Sequence, residues 1–131
     1  MIRAHKQAIL ERLRADSILT SSTFDGVVTG KPTRYCNVYM NSGARDSYTL
    51  TAEQAQATFS FTIHSVGSTP EQAQAVAERV FAQLLDFRPT VPGRSCWRVR
   101  HEASQPLQVD RDVDPWLWFC VDVFDLTSVP A

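Results

Sequence analysis

The chain has 131 residues, 44% of them hydrophobic and 21% charged, with a formal net charge of -1. That length fits one domain able to bury roughly two-thirds of its unfolded surface. A near-neutral chain of ordinary composition gives no general electrostatic reason for nucleic-acid or membrane-surface binding.

Residues 2–15 read as a first helix, with Ile2, Ile9 and Leu13 along one side, Leu10 beside it and His5 near the seam. His5 is expected on the helix surface, because no second ligand stands at a fixed spacing from it. A polar loop through Ser21-Ser22 and Asp25-Gly26 follows, then a strand over Arg34–Met40. The stretch Asn41–Gln56 is polar and contains Gly43, although Tyr48-Thr49-Leu50 has the composition to extend a hairpin. So long a connection reads as an exposed contact loop.

Thr58-Phe59-Ser60-Phe61-Thr62-Ile63-His64 alternates polar and apolar residues, the period of a half-buried strand. Gly67 marks a short turn, and the period then changes. Ala73, Val76, Ala77, Val80, Phe81 and Leu84 fall at helical spacing, giving a second helix over about 70–85. Thr69 suits the N-cap, Pro70 the first helical position, and Gln72 completes a capping box.

Phe87-Arg88-Pro89-Thr90 and Val91-Pro92-Gly93-Arg94 form a breaker-rich turn region, followed by a third strand over Cys96–Glu102. Gln105–Pro115 reads as an irregular link and Trp116–Leu126 as the strongest strand. The last strand has an aliphatic side, Leu117, Phe119, Val121 and Val123, expected to face the helices. Its other side, Trp116, Trp118, Cys120, Asp122 and Phe124, then needs a loop or a second copy to cover it. The expected architecture is a single α+β domain over 1–131. Two helices pack on one face of an antiparallel sheet of four or slightly more strands, in the order α-β-β-α-β-β.

Charge is unevenly distributed. The first sixteen residues carry Arg3, Lys6, Arg12 and Arg14 against Glu11 and Asp16. The last twenty-six carry Asp110, Asp112, Asp114, Asp122 and Asp125 against Arg111. That asymmetry fits ordered association between copies, or two solvated surfaces, the commoner fate of surface charge. Three cysteines, Cys36, Cys96 and Cys120, cannot all pair within one chain and read as buried thiols of a reducing compartment. The N-terminus lacks the apolar core of a signal peptide. The longest apolar run, Trp116–Val121, falls far short of the ~20 residues that span a bilayer.

Several chemical motifs are approached and missed. Gly26–Thr33 has three residues between its glycines where a phosphate loop needs four, and Pro32 takes the hydroxyl position. Asp110, Asp112 and Asp114 alternate as in a calcium loop, but Pro115 and Val121 stand where Gly and Glu are required. His64, His101 and the cysteines have no paired spacing for zinc or for a Cys–His nucleophile. No serine lies in a G-x-S-x-G elbow. Arg94, Arg98 and Arg100 with Trp97 make a basic-aromatic cluster. Arg98 and Arg100 are expected to pair with Asp122 or Asp125 on a neighbouring strand or subunit in preference to phosphate. No catalytic residues and no cofactor are expected.

Taken in order, several segments resemble the tail-terminator family of long-tailed bacteriophages, in its small actinobacterial-phage form. They are Arg34–Tyr39 with the Gly43-containing loop, Phe59–Gly67, Thr69–Ala73, Pro92–Cys96, Asp110–Val113 and the Trp-rich last strand. The resemblance covers nearly the whole chain. It implies a virion protein, assembled in the bacterial cytoplasm, that caps the tail tube as a ring, usually a hexamer. It would end tube polymerisation and join the head-completion proteins, with DNA only passing through its pore. Its partners would be its own copies, the tube protein and a head-completion protein. Candidate subunit-interface residues are Arg12, Arg14, Arg98, Arg100, Trp116, Trp118, Asp122 and Asp125. Candidate tube contacts are Asn41, Arg45, Asp46, Tyr48 and Glu53. A connector or tube subunit of the same virion is the nearest alternative, and a small α+β enzyme or ligand-binding module a distant one.

Overall fold

The computed structural model describes residues 2–46 and 56–131. The elements are α1 (Ile2–Arg14), β1 (Thr23–Asp25), β2 (Tyr35–Met40), β3 (Ala44–Asp46), β4 (Gln56–Gly67), α2 (Pro70–Leu84), β5 (Arg94–Cys96), β6 (Arg100–Asp110) and β7 (Leu117–Pro130). They build a seven-stranded sheet of order β1-β2-β4-β7-β5, with β3 on β4 and β6 on β7. Since β7 occupies the other side of β4 along its length, β3 lies in line with β2. By the same logic β6 lies in line with β5.

Both helices pack on one face. Phe59, Phe61 and Ile63 of β4 point into it, beside Cys36 and Val38 of β2 and Phe124 and Leu126 of β7. Ile9, Leu10 and Leu13 of α1 and Val76, Val80 and Leu84 of α2 close over them. Each such side chain, taken out of water, contributes roughly 1.5–3 kcal/mol. Phe61 stacks on Phe124 with centroids 5.5 Å apart, and Phe81 of α2 meets the same Phe124 ring at 5.5 Å.

Asp16 ties the two helices together. Its carboxylate accepts from the Ile18 and Leu19 N–H groups and from the Gln83 amide, and lies 3.6 Å from Arg79. Burial pushes its pKa up, but those hydrogen bonds and Arg79 together hold it below the usual carboxylate value.

The capping of α2 follows the sequence closely. Thr69 is extended and its Oγ1 accepts from the Gln72 N–H at 3.1 Å. The reciprocal half of the box closes one residue earlier than expected: Gln72 Oε1 accepts from Ser68 N–H at 3.0 Å and from its hydroxyl at 2.7 Å.

Five expectations need correction. The sheet is mixed, because β1 runs parallel to β2, and it has seven strands in the order α-β-β-β-β-α-β-β-β. Three-residue strands such as β1, β3 and β5 are too short to display a period. The third strand expected over Cys96–Glu102 is broken at 97–99, and the link expected over Gln105–Pro115 is strand as far as Asp110. Part of the expected loop 41–56 is a ladder, Ala44–Asp46 against Gln56–Thr58. The faces of the last strand are inverted: Asp122, Phe124, Leu126 and Ser128 face the helices, while Phe119, Val121 and Val123 lie on the face away from the helices with His64 and Thr62, where Val121 and Val66 are themselves buried. The strand runs on to Pro130, and its second half sets which side enters the core.

His5, finally, is fully buried. Its Nε2 is 2.8 Å from Ser128 Oγ and its ring is 4.4 Å from Phe59, so it bridges α1 to β7 through the core. Arg94 donates from Nε to the same hydroxyl and from a guanidinium NH2 to the Ser128 carbonyl.

Gly67 sits where β4 meets the start of α2. A Cβ there would lie 2.6 Å from Gln72 Cβ and against the Ala73 backbone nitrogen. Gly67→Ala should therefore cost about 1–3 kcal/mol of stability as an overpacked junction. An unchanged urea midpoint would contradict this close approach.

Candidate functional site

Two helices cover one side of the sheet, which leaves the opposite face, the edges and the strand ends as accessible surface. On the face away from the helices an aromatic row crosses three strands. Tyr39 of β2 lies 5.0 Å from the His64 ring of β4, which stacks on Phe119 of β7 at 5.9 Å. Burial pushes the His64 pKa down, favouring the neutral ring. The Asn37 amide donates to the Tyr39 hydroxyl at 2.8 Å and to the Gly26 carbonyl at 3.3 Å, and its Oδ1 accepts from the Gly26 N–H, which pins the loop after β1.

The remaining large exposed apolar residues gather at the two ends of β7. At its start a cleft of about 480 Å³ lies between the 28–35 and 113–117 segments. Its apolar lining is Val28, Pro32, Tyr35, Val113, Pro115 and Leu117, with Lys31 and Asp114 as charged members. Val113 itself is exposed, as are Val27 and Trp116, the immediate neighbours of lining residues, at 73% and 54%. Arg111 lies over the Trp116 ring at 5.1 Å, and Asp110 Oδ1 accepts from the Asp112 N–H.

At the far end of β7, Trp97 donates its backbone N–H to the Thr127 carbonyl while its side chain stays 49% exposed. Leu85, at the C-terminus of α2, is 48% exposed. The segments carrying them are joined by a 2.8 Å bond from Val99 N–H to the Phe87 carbonyl.

The residues expected at a subunit interface fall in different places. Arg12 donates to the Gln83 carbonyl at 2.9 Å and lies over the Phe87 ring, and Arg14 donates to the Thr23 carbonyl at 3.0 Å, so both stitch α1 to its neighbours. Arg98 is exposed in the break between β5 and β6. Arg100 stands opposite Asp125 in register, yet its ion pair is with Glu102 at 3.9 Å, while Asp125 accepts from the Ser60 hydroxyl at 2.7 Å. Trp116 is exposed and Trp118 half-buried opposite Gly67. Asp122 is buried and pairs with His101 at 3.2 Å. Of the tube-contact residues, Asn41 is exposed and Arg45 and Asp46 lie in β3; Tyr48 and Glu53 fall outside the described residues.

Burial pushes the Cys36 thiol up to about 11 and raises Cys96 and Cys120 as well, keeping all three protonated at neutral pH. Among the described residues, no group of three or more His, Cys, Asp or Glu side chains is placed to hold a metal ion. No helix among them is long and apolar enough to cross a membrane. The cleft was missed from sequence because its two walls come from loops some eighty positions apart.

No family model matches the chain, and no curated protein matches it. Among solved structures, a chain described as part of the virion of a native gene transfer agent particle superposes with a TM-score of 0.71. It is 19% identical, and the match covers 94% of this chain and 92% of that one. What the two share at that identity is the fold.

Asp122 provides a pH test of the interior. Burial raises its pKa, and the hydrogen bond and charge of His101 offset this only in part. A raised carboxyl pKa contributes stability below the unfolded value near 3.8 and loses it as pH rises through the folded value. The ionised carboxylate therefore opposes folding at pH 7. Asp122→Asn, which keeps an acceptor for His101, should be as stable as wild type or more so at pH 7. Any advantage should shrink as the pH falls toward 3. A thermal-melt series in which the variant loses most at pH 7 would contradict this.

Proposed function

We propose that this chain is a structural protein of a phage-like virion, and within it a tail terminator that caps the tail tube as a ring. The observation that carries the proposal is the likeness of its fold, over nearly its full length, to a chain of a gene transfer agent virion. The order of segments that resembles the tail-terminator family supports the finer role.

Several physical features fit the role. The protonated thiols suit a protein that acts by shape. A ring requires two different patches of one subunit to meet, and the chain carries separate apolar patches at separated positions. The β3–β4 ladder prolongs the sheet past β2, bringing Ala44–Asp46 and Gln56–Thr58 to one end of the domain, at the borders of the proposed tube-facing element.

Termination is then steric. A ring, proposed here as a hexamer, docks on the last tube ring through its 41–56 segment and presents no equivalent face to the next tube subunit. Its opposite face meets the head-completion protein, and DNA crosses the pore without being read.

The test is to add the purified chain to polymerising tube protein of the same particle and image the products by negative stain. The expected result is tubes shortened in proportion to added chain, with extra density at one end. Tubes of unchanged length with bare ends would contradict the proposal. Binding to filled heads alone would indicate a connector, and spontaneous long tubes of this chain a tube subunit.

A further inference from the structure

Strand β6 pairs with β7 in three short blocks. Arg100–His101 stands opposite Asp125–Phe124, Ala103–Gln105 opposite Val123–Val121, and Gln108–Asp110 opposite Phe119–Leu117, with a register shift between blocks. Every residue from Arg100 to Pro106 is exposed, whereas Val99 before them is buried and Leu107 after them is half-buried. Val99 is also tied by its N–H to the Phe87 carbonyl at 2.8 Å. The segment is therefore anchored at both ends, and between them it buries little of the apolar surface that resists local opening.

One side chain of this segment reaches inward. The His101 ring meets Phe81 of α2 edge-on, with centroids 4.8 Å apart, and lies 5.2 Å from the Phe124 ring. Its Nε2 is 3.2 Å from the buried Asp122 carboxylate, for which it is the partner among the described residues. The segment's other polar side-chain contacts, Arg100 with Glu102 and Gln105 with Gln108, stay within β6. They add nothing to its hold on the domain.

We infer that Arg100–Pro106 is a strap that opens from β7 as a local unit while the rest of the domain stays folded, and that the His101 side chain, packed on Phe81 and Phe124 and bonded to Asp122, is the pin that closes it. Opening frees the β7 edge from Val121 to Asp125. It also admits water to the Asp122 carboxylate, and that hydration offsets part of the lost hydrogen bond. Closed, the strap blunts the same edge with a proline, charges and irregular pairing. The device belongs to the single chain and does not depend on assembly.

Hydrogen exchange followed by mass spectrometry on the full chain, at one pH, reads such openings. In the wild type the slowest amides of 100–105 should exchange at least ~10-fold faster than those of β4, at a rate that low urea leaves unchanged, because a local opening exposes little new surface. Ile9→Val, in α1 and away from the strap, should speed the β4 amides several-fold and leave 100–105 at the wild-type rate. His101→Ala should speed 100–105 by ~10-fold or more, the loss expected for a hydrogen bond to a carboxylate. His101→Gln, which keeps a donor and loses the ring, replaces it if His101→Ala does not fold, and should also speed 100–105. Amides of 100–105 that follow β4 in urea dependence and in response to Ile9→Val would overturn the strap. A rate for 100–105 that the His101 variant leaves unchanged would overturn the pin.

Discussion

The pairing of β4 with β7 is the constraint on which the rest of the molecule depends. Eleven residue pairs run without a break from Ala57–Ser128 to Gly67–Trp118. Side chains alternate across a strand, so this register fixes at once which residues enter the core and which are left outside. Phe59, Phe61, Phe124 and Leu126 fall on one side, and α1 and α2 cover them. The polar contacts of the interior hang on the same register. Ser128 is reached by His5 and Arg94, and Asp122 by His101, only because β7 turns those residues inward.

One consequence concerns what stays uncovered. Two helices of 13 and 15 residues shield one face, and the strand ends extend past them. The edge strand β6 is exposed from Arg100 to Pro106, but it is poorly suited to pairing with another chain. It has register irregularities on both sides of Ser104, a proline, and charges at Arg100 and Glu102, all features that discourage edge-to-edge association. The exposed apolar side chains lie elsewhere, toward the ends of β7.

Where local signals agree, the fold was legible in the sequence. The second helix combines an N-cap, a proline at its first position and a clean helical period, and it appears as Pro70–Leu84. The strand through Phe59, Phe61 and Ile63 was equally clear, being buried on one side only. Strand β6 was missed because, at an edge with most of its residues exposed, nothing requires its residues to alternate. The faces of β7 were inverted for a related reason. Its first half, Leu117–Val123, is so apolar that either side qualifies for the core, and only the pairing of Phe124 and Leu126 with Phe61 and Phe59 decides. His5 looked like a surface residue because the Ser128 hydroxyl that satisfies it lies 123 positions away. Of the expected interface residues, Arg98 and Trp116 lie at the exposed ends, whereas Arg12, Arg14 and Asp122 are engaged within the fold. Neither wall of the cleft has a signature alone, since the glycine loop and the acidic loop acquire meaning only when the sheet brings them together.

The central claim is that this domain works in multiple copies joined through unlike surfaces. Native mass spectrometry of the purified chain over a dilution series tests it most directly. The account predicts one closed species whose mass is a fixed multiple of the 14.7 kDa chain, persisting over a wide range of concentration. A spectrum containing only the 14.7 kDa chain at every concentration would contradict it.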